Sequence, residues 1–164
     1  MAESGSDAHD AALAALRSTL RGEIPQFAPS EGYLRLVQFG SATVQSGVWR
    51  LVTQDGVART SQDDGQQFGL PRPVDAEREA NAEMAGRPVT DVTVTPFSGD
   101  LVLLMGDRRL EFLVTSSGYE SWEANFIHEG FDYLVVCNGG RLSVHSNPTG
   151  ERPSVIHGGP WTVA

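Results

Sequence analysis

Apolar and polar positions recur along this chain with two different periods, and each period predicts its own kind of element. Between Asp7 and Gly22, Leu13, Leu16 and Leu20 follow one another at i, i+3 and i+7, the stripe of an amphipathic helix. Asp7 or Ser6 can cap its start, Arg17 and Arg21 suit the negative end of its dipole, and Gly22 can take the left-handed turn that stops it. A second, shorter helix is predicted over 75–86, where Ala76, Ala80 and Met84 give only a thin apolar stripe. It is expected to lie on the surface, loosely packed.

Period-two and continuously apolar runs predict strands elsewhere. In a first region, 34–61, they are Leu34 to Phe39, Val48 to Thr53 and Val57 to Ser61, the last two forming a hairpin around Asp55-Gly56, a dipeptide that tolerates the positive φ of tight turns. The second region, 89–146, carries six: Val92 and Val94; Leu101 to Met105; Leu110, Phe112 and Val114; Trp122, Ala124 and Phe126; Leu134 and Val136; Leu142 and Val144. Its links are too short for parallel crossovers, so neighbours run antiparallel. The expected fold is α+β: a mostly antiparallel meander of about 8–9 strands with an N-terminal helix and a short middle helix, one domain over 1–164, closed by an irregular tail over 147–164 with Trp161 as its anchor.

Alternation also sorts the side chains. If 119–126 is extended, Glu120, Trp122, Ala124 and Phe126 point one way, and Tyr119, Ser121, Glu123 and Asn125 the other. Trp122 and Phe126 are then core anchors opposite Phe112 and Leu110, and the whole region is expected to form a single twisted layer with a dry and a wet side. Two tryptophan-led segments, "WRLVTQDG" from Trp49 and "WEANFIHEG" from Trp122, are faintly alike, a match short enough for chance to be the favoured explanation.

Composition narrows the function classes. With 164 residues, 40% of them hydrophobic, a single domain can bury a sizeable core. A net charge of −9 repels nucleic acid and anionic membranes and would attract a basic partner. All basic residues are arginine, so Schiff-base chemistry and the phosphate-loop lysine are excluded. A single cysteine, Cys137, rules out an internal disulfide and a four-cysteine zinc site; in its apolar run it reads as an inert small hydrophobe. The acidic "MAESGSDAHD" lacks the pattern of a secretory signal, and no run reaches the roughly 18 apolar residues of a membrane span. The expectation is a cytoplasmic protein.

Catalytic signals are poor. His9, His128, His145 and His157 show no ligand spacing, and no hydrolase, zincin or nucleotide-binding motif occurs. The densest polar cluster, His128, Glu129 and Asp132 in "HEGFD", reads as a solvated turn, so no metal or cofactor is expected.

The stretch "DLVLLMGDRRLEFLVTSSGYESWEANF", residues 100–126, resembles a group of small, uncharacterised bacterial α+β proteins of actinobacterial type: an apolar strand, a Gly-Asp turn, a strand carrying Leu-Glu-hydrophobe, then a Tyr-Glu-Ser-Trp strand. Similar small acidic proteins are often immunity partners of secreted toxins, which the resemblance implies as a role here. The resulting expectation is a non-catalytic protein-binding module that occludes a basic toxin through an acidic sheet face, with Asp107, Glu111, Tyr119, Glu123 and Asp132 as contacts. The alternative is a small-molecule binder or enzyme with a pocket between the sheet and the N-terminal helix, lined by Trp49, Phe112 and Trp122, with Glu120 and His128 as its polar groups.

Overall fold

Two antiparallel sheets receive the strands. The computed structural model describes residues 5–150; the tail anchor Trp161 and His157 lie outside the described residues. Helix α1 is Gly5–Leu20, and strands β1 (Gln26–Ala28), β2 (Arg35–Phe39), β3 (Ala42–Ser46), β4 (Trp49–Thr53) and β5 (Gly56–Thr60) follow. A short 3-10 turn, Ser61–Asp63, leads to α2 (Ala76–Met84), and then come β6 (Asp91–Val94), β7 (Leu101–Met105), β8 (Arg108–Phe112), β9 (Glu120–His128), β10 (Phe131–Asn138) and β11 (Arg141–Pro148).

The six strands expected after Val89 are all present, but they do not form one layer. Strands β6 to β8 belong to a five-stranded sheet ordered β5-β4-β8-β7-β6, and β9 to β11 to a six-stranded sheet ordered β1-β2-β3-β9-β10-β11. The chain leaves one sheet after Phe112 and joins the other at Glu120, pairing β9 with β3, Ser46 opposite Trp122. Within each sheet the antiparallel meander holds. Strands β1 and β3 were not expected. The first is only three residues long, and the second, Ala42 to Ser46, alternates small buried residues with Thr43 and Gln45 facing out, a pattern too weakly apolar to register.

Trp49, Leu51, Leu101, Leu103, Leu110 and Phe112 of one sheet share a continuous core with Val37, Val44, Trp122, Ala124 and Val135 of the other. Each helix bridges a pair of sheet edges. Helix α1 contacts β6 on one side and β9 and β11 on the other, whereas α2 contacts β1 and β5. Arg17 Nε donates to Val92 O (3.0 Å) and Arg21 Nε to Thr90 O (3.0 Å), tying α1 to the β6 edge. Asn81 of α2 supplies β1 with a partner in place of a strand: Phe27 N donates to its Oδ1 (2.7 Å) and its Nδ2 donates to Phe27 O (3.1 Å). Helix α2 is therefore firmly docked rather than loosely packed. Ala76, Ala80 and Met84 are completely buried, because small residues let the helix approach closely.

The element order repeats. Helix, three-stranded meander, crossing to the other sheet and hairpin occur first as α1, β1-β2-β3, β4-β5 and again as α2, β6-β7-β8, β9-β10. Exchanging each element for its counterpart turns the order β1-β2-β3-β9-β10 into β6-β7-β8-β4-β5, the five-stranded sheet itself. Side chains follow suit. Ala12, Leu16 and Leu20 on α1 and Ala76, Ala80 and Met84 on α2 are buried triplets at one constant offset, and Gly22 and Gly86, at the same offset, both have positive φ beyond the helix ends. Trp49 near the start of β4 and Trp122 near the start of β9 are equivalent and equally buried. The faint likeness of their segments thus coincides with a pseudo-two-fold arrangement of the whole fold, which chance similarity of two short stretches would not produce. Strand β11 is the addition that breaks it.

Candidate functional site

Because equivalent crossings meet at the pseudo-two-fold axis, the short link Gly47-Val48 and the longer link from Leu113 to Tyr119 lie side by side at one end of the sandwich. Leu113 N donates to Val48 O (2.9 Å), and the Ser46 hydroxyl lies 3.0 Å from both Val48 O and Ser121 O. Between the links opens a cleft of about 810 Å³, walled by Tyr33, Leu34 and Gly47 from the first half of the chain and by Ser116, Tyr119 and Glu120 from the second. The Tyr33 ring rests on Gly47 so closely that a Cβ there would stand 2.1 Å from the ring Cε1. On the other wall, Ser116 Oγ accepts from the Gly118 and Tyr119 amides (3.2 and 3.1 Å), a local turn that sets the backbone from which Tyr119 projects.

The loops around the cleft are locked together through glycines. A Cβ at Gly139 would meet Ser117 O at 2.6 Å, and one at Gly140 would meet Phe97 O and Ser98 O at 2.9 Å. Asp100 Oδ1 accepts from Val114 N (2.7 Å), and Trp122 Nε1 donates to Gly99 O (2.9 Å). Phe97, in the turn between β6 and β7, has a φ of 67° and a fully exposed ring. A bulky residue in that conformation costs on the order of 1–2 kcal/mol, and here the ring gains no burial within the chain in return. Tyr33, whose ring packs on Gly47, and Tyr119 are largely exposed as well, so this end carries three exposed aromatic residues, of which Phe97 lies in a turn packed against Gly140.

The cleft holds one carboxylate, Glu120, which is exposed and makes no ion pair among the described residues; no basic residue lines the cleft. Ser121, 7% exposed, also lines it, and its buried hydroxyl has no hydrogen-bond partner among the described residues. Catalytic pairings are missing from this group. Cys137 lies behind it, fully buried, with its thiol pKa raised by that burial, and its Sγ is 3.6 Å from Gly99 O. His128 is at the far end of β9, 3.9 Å from Glu129 Oε1. The pocket expected between the sheet and α1 is closed core, since Trp49, Phe112 and Trp122 are completely buried; of its two polar groups, Glu120 lines the cleft and His128 does not.

The five residues expected on one contact face are divided between two sheets. Tyr119 belongs to the cleft. Glu123 and Asp132 share the outer face of the six-stranded sheet, opposite Gln45 and Asn147 respectively, without an ion pair among the described residues. Asp107, in the turn between β7 and β8, is already held by Arg87 (2.6 Å) and Arg108 (2.7 Å). Glu111 corrects the expectation of an exposed contact. It does point outward from the five-stranded sheet, yet its side chain is only 6% exposed, because Arg50 on β4 and Arg109 two residues along β8 both fold onto its carboxylate, the latter at 2.5 Å.

Tyr33 and Phe97 were not expected at the site. A signal for Phe97 was present in "TPFSGD", where a large ring in the middle of a Pro, Ser and Gly turn has no strand face to bury it. Among the described residues no helix is long and apolar enough to cross a membrane and no group of His, Cys, Asp and Glu could hold a metal. Comparison with protein-family models, with curated proteins and with solved structures gives no match.

Proposed function

We propose that the protein is a non-catalytic recognition module for a basic protein partner, its specific form being an immunity protein that occludes a basic toxin. One observation carries this reading: the exposed Tyr33 and Tyr119 line a cleft that contains Glu120 and no positive charge, and the exposed Phe97 stands on a turn packed against Gly140. Exposed aromatic rings on a rigid frame are the typical anchors of protein interfaces. The net charge of −9, with Glu123 and Asp132 unpaired on the adjoining sheet face, favours a basic surface and speeds its encounter. The acidic face of the original expectation is thereby narrowed to one sheet and extended to the loops at its end.

The test is titration of the protein with the basic product of a neighbouring toxin-like gene. Binding should weaken as salt rises, and Phe97→Ala or Tyr119→Ala should each weaken it by about 30-fold, the loss of roughly 2 kcal/mol typical of an anchor, without lowering the unfolding temperature. Absence of any complex at low salt would end this reading. The cleft volume of about 810 Å³ also lies within the range of small-ligand sites. A metabolite that raised the unfolding temperature by several degrees and was displaced by Tyr119→Ala would favour that second reading instead.

A further inference from the structure

Three features of the cleft restrict what can enter it. Its two aromatic side chains, Tyr33 and Tyr119, come from different halves of the chain, and a tyrosine ring is a favourable neighbour for a cation. Its only carboxylate, Glu120, has no ion-pair partner among the described residues. Ser121 and Asn138 also line the cleft, and the Ser121 hydroxyl is buried without a hydrogen-bond partner among the described residues. A carboxylate without an ion pair, set beside two exposed tyrosines, suits a flat cation with several N–H donors.

We infer that the cleft is a pocket for a single arginine side chain, supplied by the protein partner proposed above. The guanidinium presents its plane to the tyrosine rings and its fork of N–H donors to Glu120. Lysine fits less well. Its ammonium is compact and strongly hydrated, and it can neither stack nor offer two parallel donors to one carboxylate. Several of the protein's own arginines are bound to carboxylates elsewhere, such as Arg50 and Arg109 on Glu111 and Arg87 on Asp107, and among the described residues no arginine lines the pocket. Strongly asymmetric crossings make the pocket possible. The two-residue link at Gly47-Val48 contributes only small or aliphatic lining, whereas the longer link before β9 contributes Ser116 and Tyr119 and leads into Glu120 at the start of β9.

This assignment rests on the recognition reading, yet it is separable from it by experiment. Amide-resolved NMR titrations of the full chain with N-acetyl-arginine amide, N-acetyl-lysine amide and N-acetyl-citrulline amide supply a stacking cation, a non-stacking cation and an uncharged isostere. The arginine compound should produce saturable shifts at residues 33–34, 47–48 and 115–121, with a dissociation constant on the order of millimolar. The lysine compound should bind about tenfold more weakly and the citrulline compound should not saturate. Glu120→Gln should weaken the arginine compound about tenfold, with the rest of the spectrum unchanged as evidence of an intact fold. Equal binding of citrulline and arginine, saturable shifts confined to other regions, or indifference to Glu120→Gln would each overturn the assignment. A variant Glu120→Gln that still holds the basic partner at full affinity would remove the arginine pocket and leave the recognition reading standing. Saturable arginine binding in the cleft, with no complex formed by the partner, would do the reverse.

Discussion

The two halves of the molecule, α1 to β5 and α2 to β10, run the same course and differ in only a few places. They share the buried triplets on their helices, the glycines at the helix ends, the meander, the crossing between sheets and the tryptophan that opens the next hairpin. They differ in the length of the crossing, in the extra strand β11 and in the surroundings of the two tryptophans. What they share holds the sandwich together, since each common feature is buried or fixes a chain reversal. Apart from β11, which runs along the whole of β10, what differs lies near the cleft. In a duplicated frame, one copy of an element can preserve packing while the other acquires a new surface, and the longer crossing with Tyr119 and Glu120 is such a surface.

The sharpest way to break this comparison is to disturb a glycine on each side of it. Gly22 ends α1 with a φ of 84° and has open space where a Cβ would go, so Gly22→Ala should cost about 1 kcal/mol for the backbone conformation alone. Gly140 has a similar φ of 82°, but its Cβ would stand 2.9 Å from two backbone oxygens, and backbone cannot rotate away as a side chain can. Gly140→Ala should therefore cost about 2–5 kcal/mol, the conformational penalty plus overpacking. Denaturant unfolding of both variants measures the difference directly. Equal costs would mean that the loops at the cleft are not a locked frame and that Phe97 and Tyr119 are not held rigidly.

Much of the frame was legible in the sequence, and the reasons for the failures are instructive. Periodicity located α1, α2 and the six strands after Val89, because a pattern of two or 3.6 reports local geometry. It says nothing about which strand is the neighbour. The link "LVTSSGY" reads as a turn whether β9 folds back onto β8 or crosses to β3, and that non-local choice is what divided one expected layer into two. Glu111 failed for a different reason. Alternation placed it outward correctly, but arginine stems folding over a carboxylate bury charge beneath charge, which no hydropathy pattern can register. Of the site itself, Tyr119 was readable as a polar-face aromatic, whereas Tyr33 enters only because its ring covers Gly47 from a distant loop.

The outer faces of the two sheets give the second, smaller test of the contrast. Glu111 is paired with two arginines that are themselves 42% and 45% exposed, so on losing their partner both can turn to water. Glu111→Gln should cost about 1–2 kcal/mol, less than a fully buried pair would lose. Glu123→Gln, on the uncovered face of the six-stranded sheet, should stay within about 0.5 kcal/mol. The same pair reverses in binding: Glu123→Gln should weaken a basic partner and flatten its salt dependence, while Glu111→Gln should leave both unchanged. If Glu111→Gln weakened the partner more than Glu123→Gln did, the docking surface would belong to the five-stranded sheet.

The finest distinction lies between the two tryptophans. Both are 1% exposed and both open a hairpin, so Trp→Phe removes a similar volume from a similar place in each half. Their indole nitrogens differ: Trp122 Nε1 donates to Gly99 O at 2.9 Å, whereas Trp49 Nε1 is buried with no partner. The packing loss should then largely cancel in the comparison, leaving the hydrogen bond. Trp122→Phe should be the more destabilising by about 1 kcal/mol, and Trp49→Phe is partly offset because it removes an orphaned donor. A further consequence separates the two. Gly99 O anchors the turn that carries Phe97, so Trp122→Phe should increase amide hydrogen exchange from Ser98 to Asp100, and Trp49→Phe should leave it unchanged. Equal destabilisation with no change in exchange would show that the turn is held by its glycine contacts alone and that the two halves differ in their surfaces but not in how their cores support them.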